Sequence, residues 1–333
     1  MKLTLGPLLY YWSREDTLAF YAEAATWPVD VVYLGETVCS RRHLLRLSDW
    51  LEVAAQLRDA GKEVVLSTQT LIESESDLKA LRKIVANGEY AVEANEFGAV
   101  RLCAEAGVPF VAGPALNVYS PDTLAILQEA GATRWVPPVE MPQAMLKAMQ
   151  AFSPRPLGPA RGAQDATPVA VPKGWAKPTE GVGEREAPLE TELFAYGRLP
   201  LAFSARCFTA RHYNLQKDDC QFRCIDHPDG LDLKTRENEP FLTMNGIQTQ
   251  SAKIYTLAHR MAEAQALGIT HLRLSPQSRH MGRVVGAFDA LRQNTLAPLD
   301  AAAQLQRLMP GEPCDGYWLG RPGLDYAPGE SLN

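Results

Sequence analysis

The sequence predicts an α/β fold of the TIM type, a (β/α) barrel that need not be regular. Short apolar, β-branched segments alternate with segments of helical periodicity over the first half of the chain. The strand segments are nearly continuous in apolar residues, as expected for parallel strands that are covered on both faces. No G-x-G-x-x-G turn follows the first strand segment, so an open doubly wound sheet is the less favoured alternative.

Six strand–helix units are predicted before residue 153, and two more after residue 240. Eight such units would close a TIM-type barrel. Gly61, Gly107 and Gly131 each follow a helical segment, where a helix is expected to end. The predicted strands are residues 2–5, 29–34, 63–66, 90–93, 110–112, 134–136, 241–244 and 271–274, and the predicted helices are residues 14–25, 46–60, 75–86, 97–106, 121–130, 142–152, 252–267 and 281–293.

Residues 153–188 interrupt this alternation. The segment is rich in proline and glycine and has little apolar periodicity. We interpret it as an inserted surface loop, because its length exceeds that of an ordinary barrel connection. A lid over the active site or a docking segment is the functional alternative.

Charge and hydropathy exclude some classes of protein. The formal net charge is −6 over 333 residues, with no block of Lys and Arg, which speaks against a nucleic-acid partner. No segment approaches the roughly 20 apolar residues of a membrane span, and the first residues lack the pattern of a signal peptide. We therefore expect a cytoplasmic protein, in which the six cysteines are not disulfide-bonded.

Four of these cysteines have the pattern of metal ligands. Cys39 directly follows the second predicted strand, and Cys207-x12-Cys220-x3-Cys224 lies in a polar loop after the sixth predicted βα unit. An iron–sulfur cluster needs four thiolates, and their spacing in sequence is not fixed. Zinc on four cysteines is an alternative, although it usually takes two closely spaced pairs. Buried thiols without a shared role are the third interpretation. Nearby cationic side chains would favour thiolates: Arg41, Arg42, Arg206, Arg211 and Arg223.

The other two cysteines are interpreted as structural. Cys103 lies on the predicted helix at 97–106 and has the size and polarity of a core residue. Cys314 lies near the end of the chain with no cysteine beside it in sequence.

Further polar residues are expected at the mouth of the predicted barrel, where the strands end. These are Glu36, Thr68, Glu93, Asn95 and Asn117. They are either substrate contacts or caps of the loops in which they lie. His212, between two of the metal-type cysteines, either donates a hydrogen bond or a proton at that centre or is a solvated loop residue.

The segments 35–42 and 203–212, continued through Cys220 and Cys224, resemble the peptidase U32 family, and in particular its members in oxygen-independent ubiquinone biosynthesis. The resemblance extends over nearly the whole chain except residues 153–188. It implies a single U32-type barrel domain over residues 1–333 and a [4Fe–4S] cluster as cofactor, held by Cys39, Cys207, Cys220 and Cys224.

The resemblance also implies an activity and partners. The expected function is hydroxylation of the aromatic ring of ubiquinone precursors without O₂, as a heterodimer with a UbiU-like U32 protein. A UbiT-like lipid-binding protein is the expected third partner, and prephenate is the expected hydroxyl donor.

Other functional classes stay open. The chain could be an electron-transfer or scaffold subunit, or a relative that hydroxylates RNA bases, against which its acidic charge speaks. Peptidase activity is disfavoured because the sequence has no H-E-x-x-H and no G-x-S-x-G motif. A cluster on the four cysteines would also leave a cysteine protease without its nucleophile.

Overall fold

Eight parallel strands form a closed barrel, which confirms the predicted TIM-type fold. A computed structural model describes residues 1–151 and 189–330. Its strands are β1 (Lys2–Leu5), β2 (Val31–Leu34), β3 (Glu63–Ser67), β4 (Ala91–Ala94), β5 (Phe110–Ala112), β6 (Ala132–Trp135), β7 (Glu190–Phe203), β8 (Leu231–Lys234), β9 (Pro240–Asn245), β10 (Gln248–Thr256), β11 (His271–Leu274) and β12 (Pro313–Cys314). Strands β1 to β7 follow one another around the barrel, and β11 closes it by pairing with both β7 and β1.

The helices between the first strands match the predicted positions closely. Three of them begin at a serine, Ser13, Ser74 or Ser120, whose hydroxyl accepts a hydrogen bond from a backbone N–H in the first turn. The helices are α1 (Arg14–Ala24), α2 (Leu47–Asp59), α3 (Glu75–Val85), α4 (Phe97–Ala106), α5 (Pro121–Glu129), α6 (Gln143–Ala151), α7 (Phe208–His212), α8 (Met261–Ala266), α9 (Met281–Arg292) and α10 (Pro298–Gln306). None of the helices in the described part of the chain is long and apolar enough to cross a membrane.

The prediction for the seventh barrel strand was wrong. The segment 241–244 belongs to β9, which lies in an antiparallel arrangement between β8 and β10. Most of the predicted helix at 252–267 is strand β10 or irregular, and only Met261–Ala266 is α-helical. The seventh barrel strand is Glu190–Phe203. It escaped prediction because its first residues are charged or polar, yet the barrel buries Thr191 and Glu192.

Strand β7 takes part both in the parallel barrel and in the antiparallel strands beside it. Its first half closes the barrel against β6 and β11, and its second half, from Tyr196 onwards, pairs antiparallel with β10. Gly197 lies at this change, with φ +126°. An added Cβ there would lie 2.5 Å from Cβ of Ser275, so the position favours glycine. The second half of β7 carries the antiparallel strands and the cysteine loop beyond the carboxyl ends of the barrel strands.

The barrel interior is partly charged. The apolar residues Val31, Tyr33, Val65, Val111 and Val136 form one buried cluster on the inward face of the strands. On the same face the carboxylate of Glu192 accepts hydrogen bonds from Thr4, Tyr33 and Arg273. The main core lies between the barrel and its helices and contains both Cys103 and Cys314, each fully buried. The predicted inserted loop at 153–188 lies outside the described residues.

Candidate functional site: four cysteines beside the barrel mouth

Cys39, Cys207, Cys220 and Cys224 line one small cavity. Cys39 lies in the turn after β2, and Cys207 precedes α7, in the loop that follows β7. Cys220 ends one short 3₁₀ helix (Lys217–Asp219) and Cys224 lies in the next (Arg223–Asp226). The fold therefore brings together the four cysteines that the sequence pattern selected. The remaining lining residues are Arg41, Arg42, Thr209, Ala210, Phe222, Arg223 and Gly246.

Glu36 fixes the turn that presents Cys39. Its Oε1 accepts hydrogen bonds from the backbone N–H groups of Val38, at 2.8 Å, and Cys39, at 3.0 Å. The backbone N–H of Arg42 donates to the carbonyl of Cys39 at 2.9 Å. Glu36 is therefore a loop cap, one of the two roles expected for it, and it serves the cysteine turn.

The loop of the other three cysteines is held from two sides. Sγ of Cys207 accepts a hydrogen bond from the backbone N–H of Ala210 at 3.4 Å, as an N-cap of α7. The backbone N–H of Phe208 donates to the carbonyl of Gly246 at 2.8 Å, which ties α7 to the turn between β9 and β10. Further along, Phe222 adopts a left-handed conformation, and its ring packs against Tyr11 and His43.

Arg42 is the charged centre of this site. Its side chain is almost fully buried, with Nη1 donating to the carbonyl of Leu9 at 2.7 Å and Nη2 to Oδ1 of Asn245 at 2.6 Å. Oε1 of Glu36 lies 3.7 Å from Nη1. Nε of Arg42 has no hydrogen-bond partner within residues 1–151 and 189–330. Arg41 and Arg223 also line the cavity, whereas Arg206 and Arg211 are exposed and are not among its lining residues.

Burial and charge act in opposite directions on the cysteines. Burial raises the pKa of Cys39 to about 11, against the opposing effect of Arg42. Burial also raises the pKa of Cys224, and Arg42 again opposes it. Burial therefore favours the protonated thiols of Cys39 and Cys224, and metal binding there would release their protons. The four cysteine sulfurs are soft ligands, and the guanidinium of Arg42 lines the same cavity. This combination suits an iron–sulfur cluster, which carries negative charge.

Among the described residues, no three His, Cys, Asp or Glu side chains are placed to share a single metal ion. One zinc ion needs its thiolates within roughly 4 Å of one another, since each Zn–S bond is about 2.3 Å. A four-iron cluster binds each thiolate through a different iron atom and so spaces them further apart.

A second, larger cavity lies at the mouth of the barrel. Its volume is about 310 Å³, within the usual range for small-molecule sites. It is lined by residues that follow or end each of the eight barrel strands, from Gly6 after β1 to Ser275 after β11. Of the residues expected at the mouth, Glu93, Asn95 and Asn117 line it. Thr68 lies behind them, where its hydroxyl accepts a hydrogen bond from the backbone of Asn95 at 3.0 Å.

Two polar residues of this mouth cavity were missed by sequence reasoning, Arg273 and Gln248. Arg273 donates from Nη1 to Glu93 and from Nε to Glu192, both at 2.6 Å. An arginine inside the predicted apolar strand 271–274 was an available signal, since a buried charge requires a partner. Gln248 gave no signal because it lies between the predicted strand 241–244 and the predicted helix 252–267, whereas the structure has it in β10.

The two cavities share a wall. Leu9, Leu71 and Phe203 line the mouth cavity. The same three residues belong to an apolar cluster, with Val38 and Ile247, against which Cys39 and Cys207 pack. One layer of side chains thus separates Cys39 and Cys207 from the mouth cavity. His212 takes no part in either cavity; it is exposed, and its ring packs edge-on against Tyr213.

Fold and site together define a (β/α)₈ barrel with a four-cysteine centre beside its mouth. Residues 17–159 match the family model of Peptidase family U32, and this match supports the resemblance of the chain to that family. The matched segment includes Cys39 and ends before the other three cysteines.

Among solved structures, the chain is similar to N-acetylneuraminate lyase from Mycoplasma synoviae, with 10% identity, 92% of this chain and 79% of that chain covered, and a TM-score of 0.42. It is also similar to dihydropteroate synthase from Thermus thermophilus, with 13% identity, 87% and 94% covered, and a TM-score of 0.38. Both likenesses are distant, and nothing about activity follows from them.

Proposed function

We propose that Cys39, Cys207, Cys220 and Cys224 bind a [4Fe–4S] cluster. The observation that carries the proposal is their position around one cavity beside the buried, positively charged Arg42. A cluster with four thiolate ligands carries net negative charge, and a buried cation offsets the cost of enclosing that charge. The unpartnered Nε of Arg42, among the described residues, suits a sulfur acceptor.

The proposed role is that of a UbiV-like subunit in O₂-independent hydroxylation of ubiquinone precursors. The U32 match and the resemblance of the cysteine segments support this role. So does the position of the mouth cavity, one layer of side chains from Cys39 and Cys207. When bound by all four cysteines, a cluster would supply electron transfer.

Other residues of the chain would separate, position and orient the groups at this site. Leu9 and Phe203 separate Cys39 and Cys207 from the mouth cavity. Glu36 holds the backbone of the Cys39 turn in place. Polar groups of the mouth cavity, among them Asn95 and Asn117, would orient a substrate there. A UbiU-like partner, a UbiT-like lipid-binding protein and prephenate as hydroxyl donor belong to this proposal on the resemblance alone.

Anaerobic purification with iron and acid-labile sulfide analysis tests the cluster. We expect about four irons and four sulfides per chain, with a broad absorption near 400 nm that bleaches on reduction. Zinc at one ion per chain without sulfide would overturn the cluster assignment.

Co-expression with a UbiU-like protein tests the role. The pair should co-purify at physiological salt and hydroxylate a ubiquinone precursor in the presence of prephenate without O₂. A loaded chain that only exchanges electrons with the partner would indicate the electron-transfer alternative. Tight, salt-sensitive binding of RNA would instead indicate the RNA-modifying relatives.

A further inference from the structure

Tyr213 and His227 join two separate parts of the cysteine loop, residues 207–230. Tyr213 is the C-cap residue of α7, and His227 is the C-cap residue of the second 3₁₀ helix of the loop. Oη of Tyr213 and Nε2 of His227 share a hydrogen bond of 2.7 Å, and both residues are half-buried. In the part of the chain that the structure describes, no other hydrogen bond joins residues 207–215 to residues 220–230.

The same tyrosine makes a second contact across the loop. The guanidinium of Arg223 lies over the ring of Tyr213, 5.3 Å from its centroid. Arg223 is next to Cys224 in sequence, and its backbone N–H donates to the carbonyl of Cys220 at 3.2 Å. Because α7 begins directly after Cys207, Tyr213 connects the helix of one cysteine to the segment that carries the other two.

Other contacts of the loop lead to the barrel. Lys217 pairs with Glu73 in the loop after β3. Nε1 of Trp12 donates to the carbonyl of Pro228 at 2.7 Å. These contacts anchor the middle and the end of the cysteine loop, whereas the tyrosine–histidine bond links α7 directly to the 3₁₀ helix of Cys224.

Such a link matters because cluster ligands must lie close together. A flexible loop loses conformational entropy when it is ordered around a cluster, whereas a loop already held in that arrangement loses less. One hydrogen bond of ordinary strength changes an equilibrium of this kind by about fivefold. A bond between the cysteine-bearing segments therefore favours cluster binding without contacting iron.

We infer that Tyr213 and His227 are positioning residues: they form a clasp that holds the three cysteines of the loop near one another before a cluster is inserted. The inference rests on the proposed function, because it assigns these residues a role in building the four-cysteine centre. Neither residue lines the cysteine cavity, so neither is a ligand. The clasp belongs to the loop itself and is present in the protein without metal.

Hydrogen exchange of the metal-free full chain tests the clasp independently of any cluster. Tyr213→Phe removes the hydroxyl and keeps the ring beside Arg223. The backbone N–H groups of residues 220–230 should exchange about fivefold faster in this variant, because the segment opens more often. Tyr119→Phe is the matched control, since it loses a hydroxyl bonded to Glu140 outside the cysteine cavity, and it should exchange like the wild type. Unchanged exchange in Tyr213→Phe would overturn the inference.

The histidine variants separate the hydrogen bond from ring packing. His227→Leu should raise exchange as Tyr213→Phe does, and the double variant should show no further change, because both substitutions remove the same bond. His227→Gln keeps a polar group near the position of Nε2 and should restore exchange toward the wild-type rate. Additive effects of the two single changes, or no rescue by glutamine, would mean that the rings only pack together and would overturn the clasp.

Iron release from the loaded protein tests the consequence for the cluster. The anaerobically purified chain is mixed with excess bipyridyl, and the coloured iron complex is followed over time. Tyr213→Phe should release iron about fivefold faster than the wild type, and Tyr119→Phe at the wild-type rate. An iron-free wild type with faster exchange in Tyr213→Phe refutes the cluster alone. Loaded proteins in which Tyr213→Phe changes neither exchange nor iron release refute the clasp alone.

Discussion

Nη1 of Arg42 lies 3.7 Å from Oε1 of Glu36, and the two residues hold the Cys39 turn from opposite directions. The same Glu36 oxygen accepts hydrogen bonds from the backbone N–H groups of Val38 and Cys39, whereas Nη2 of Arg42 donates to Asn245 of β9. Burial raises the pKa of Glu36, and Arg42 opposes that effect. The pair thus links a barrel loop to the antiparallel strands at the site where the four cysteines meet.

Replacing any of the four cavity cysteines by serine should remove most of the iron. A hard hydroxyl is a poor substitute for a thiolate on iron, so each variant should lose the absorption near 400 nm and its sulfide. Cys103→Ser is the control, because that cysteine lies in the core away from the cavity. A Cys39→Ser protein with full iron and sulfide content would contradict the assignment, since Cys39 is the ligand most distant in sequence.

Arg42→Met should destabilise the protein and lower its cluster content. The change leaves Glu36 without its cationic partner and removes the donor to Oδ1 of Asn245, and breaking a buried ion pair typically costs about 3 kcal/mol. Thermal unfolding and iron analysis measure both effects. Arg41→Met is the matched control, because the Asp218 partner of Arg41 is exposed and such pairs contribute less than about 1 kcal/mol. Equal losses in both variants would contradict a special role for Arg42.

Stability should fall in acid through Glu192. Burial works to raise the pKa of Glu192, but Arg273 and Arg134 outweigh it and hold that pKa below its usual value of 4.5. A depressed native pKa contributes stability above pH 4.5, and this contribution is lost as the pH falls through the native value. Urea unfolding at pH 6 and pH 3.5 should show a smaller loss in Glu192→Gln than in wild type. The exposed change Glu105→Gln should leave the pH dependence as in wild type.

Gly197→Ala should destabilise the barrel by about 2 kcal/mol, because its φ of +126° and the nearby Ser275 both disfavour a Cβ. Gly286→Ala in α9 is the control, since nothing lies within 4 Å of its added Cβ. That variant should be neutral or slightly stabilised, as alanine is the better helix former. Chemical denaturation measures the free energy of unfolding of both variants. Equal stability of the two would contradict backbone strain at Gly197.

The barrel was predictable where local signals agreed with tertiary structure. From β1 to α6, apolar strands, serine caps and helix-ending glycines all indicate the same elements. The prediction failed from Glu190 to Thr256, where long-range pairing decides the structure. Glu192 is buried in a strand because Arg134 and Arg273 lie opposite it, and both are far away in sequence.

The residues of the candidate site were likewise predictable only in part from the sequence. The four cysteines could be selected from the sequence, because cysteine is an uncommon residue type and their spacing is typical of metal ligands. Arg273 and Gln248 could not be selected from the sequence, because they line the mouth cavity only once β10 and β11 have paired with β7.

The chain leaves the barrel at the end of β7 and re-enters it at β11, and three of the four cysteines lie on this excursion while Cys39 belongs to the barrel itself. A group bound by all four would therefore link the Cys39 turn to the excursion through the cysteines, in addition to the pairing of β7 with β10. Its loss would remove that link and leave the barrel closed, because β7 and β11 pair directly with each other. Oxidative damage at the cysteines would then disable the protein without unfolding it.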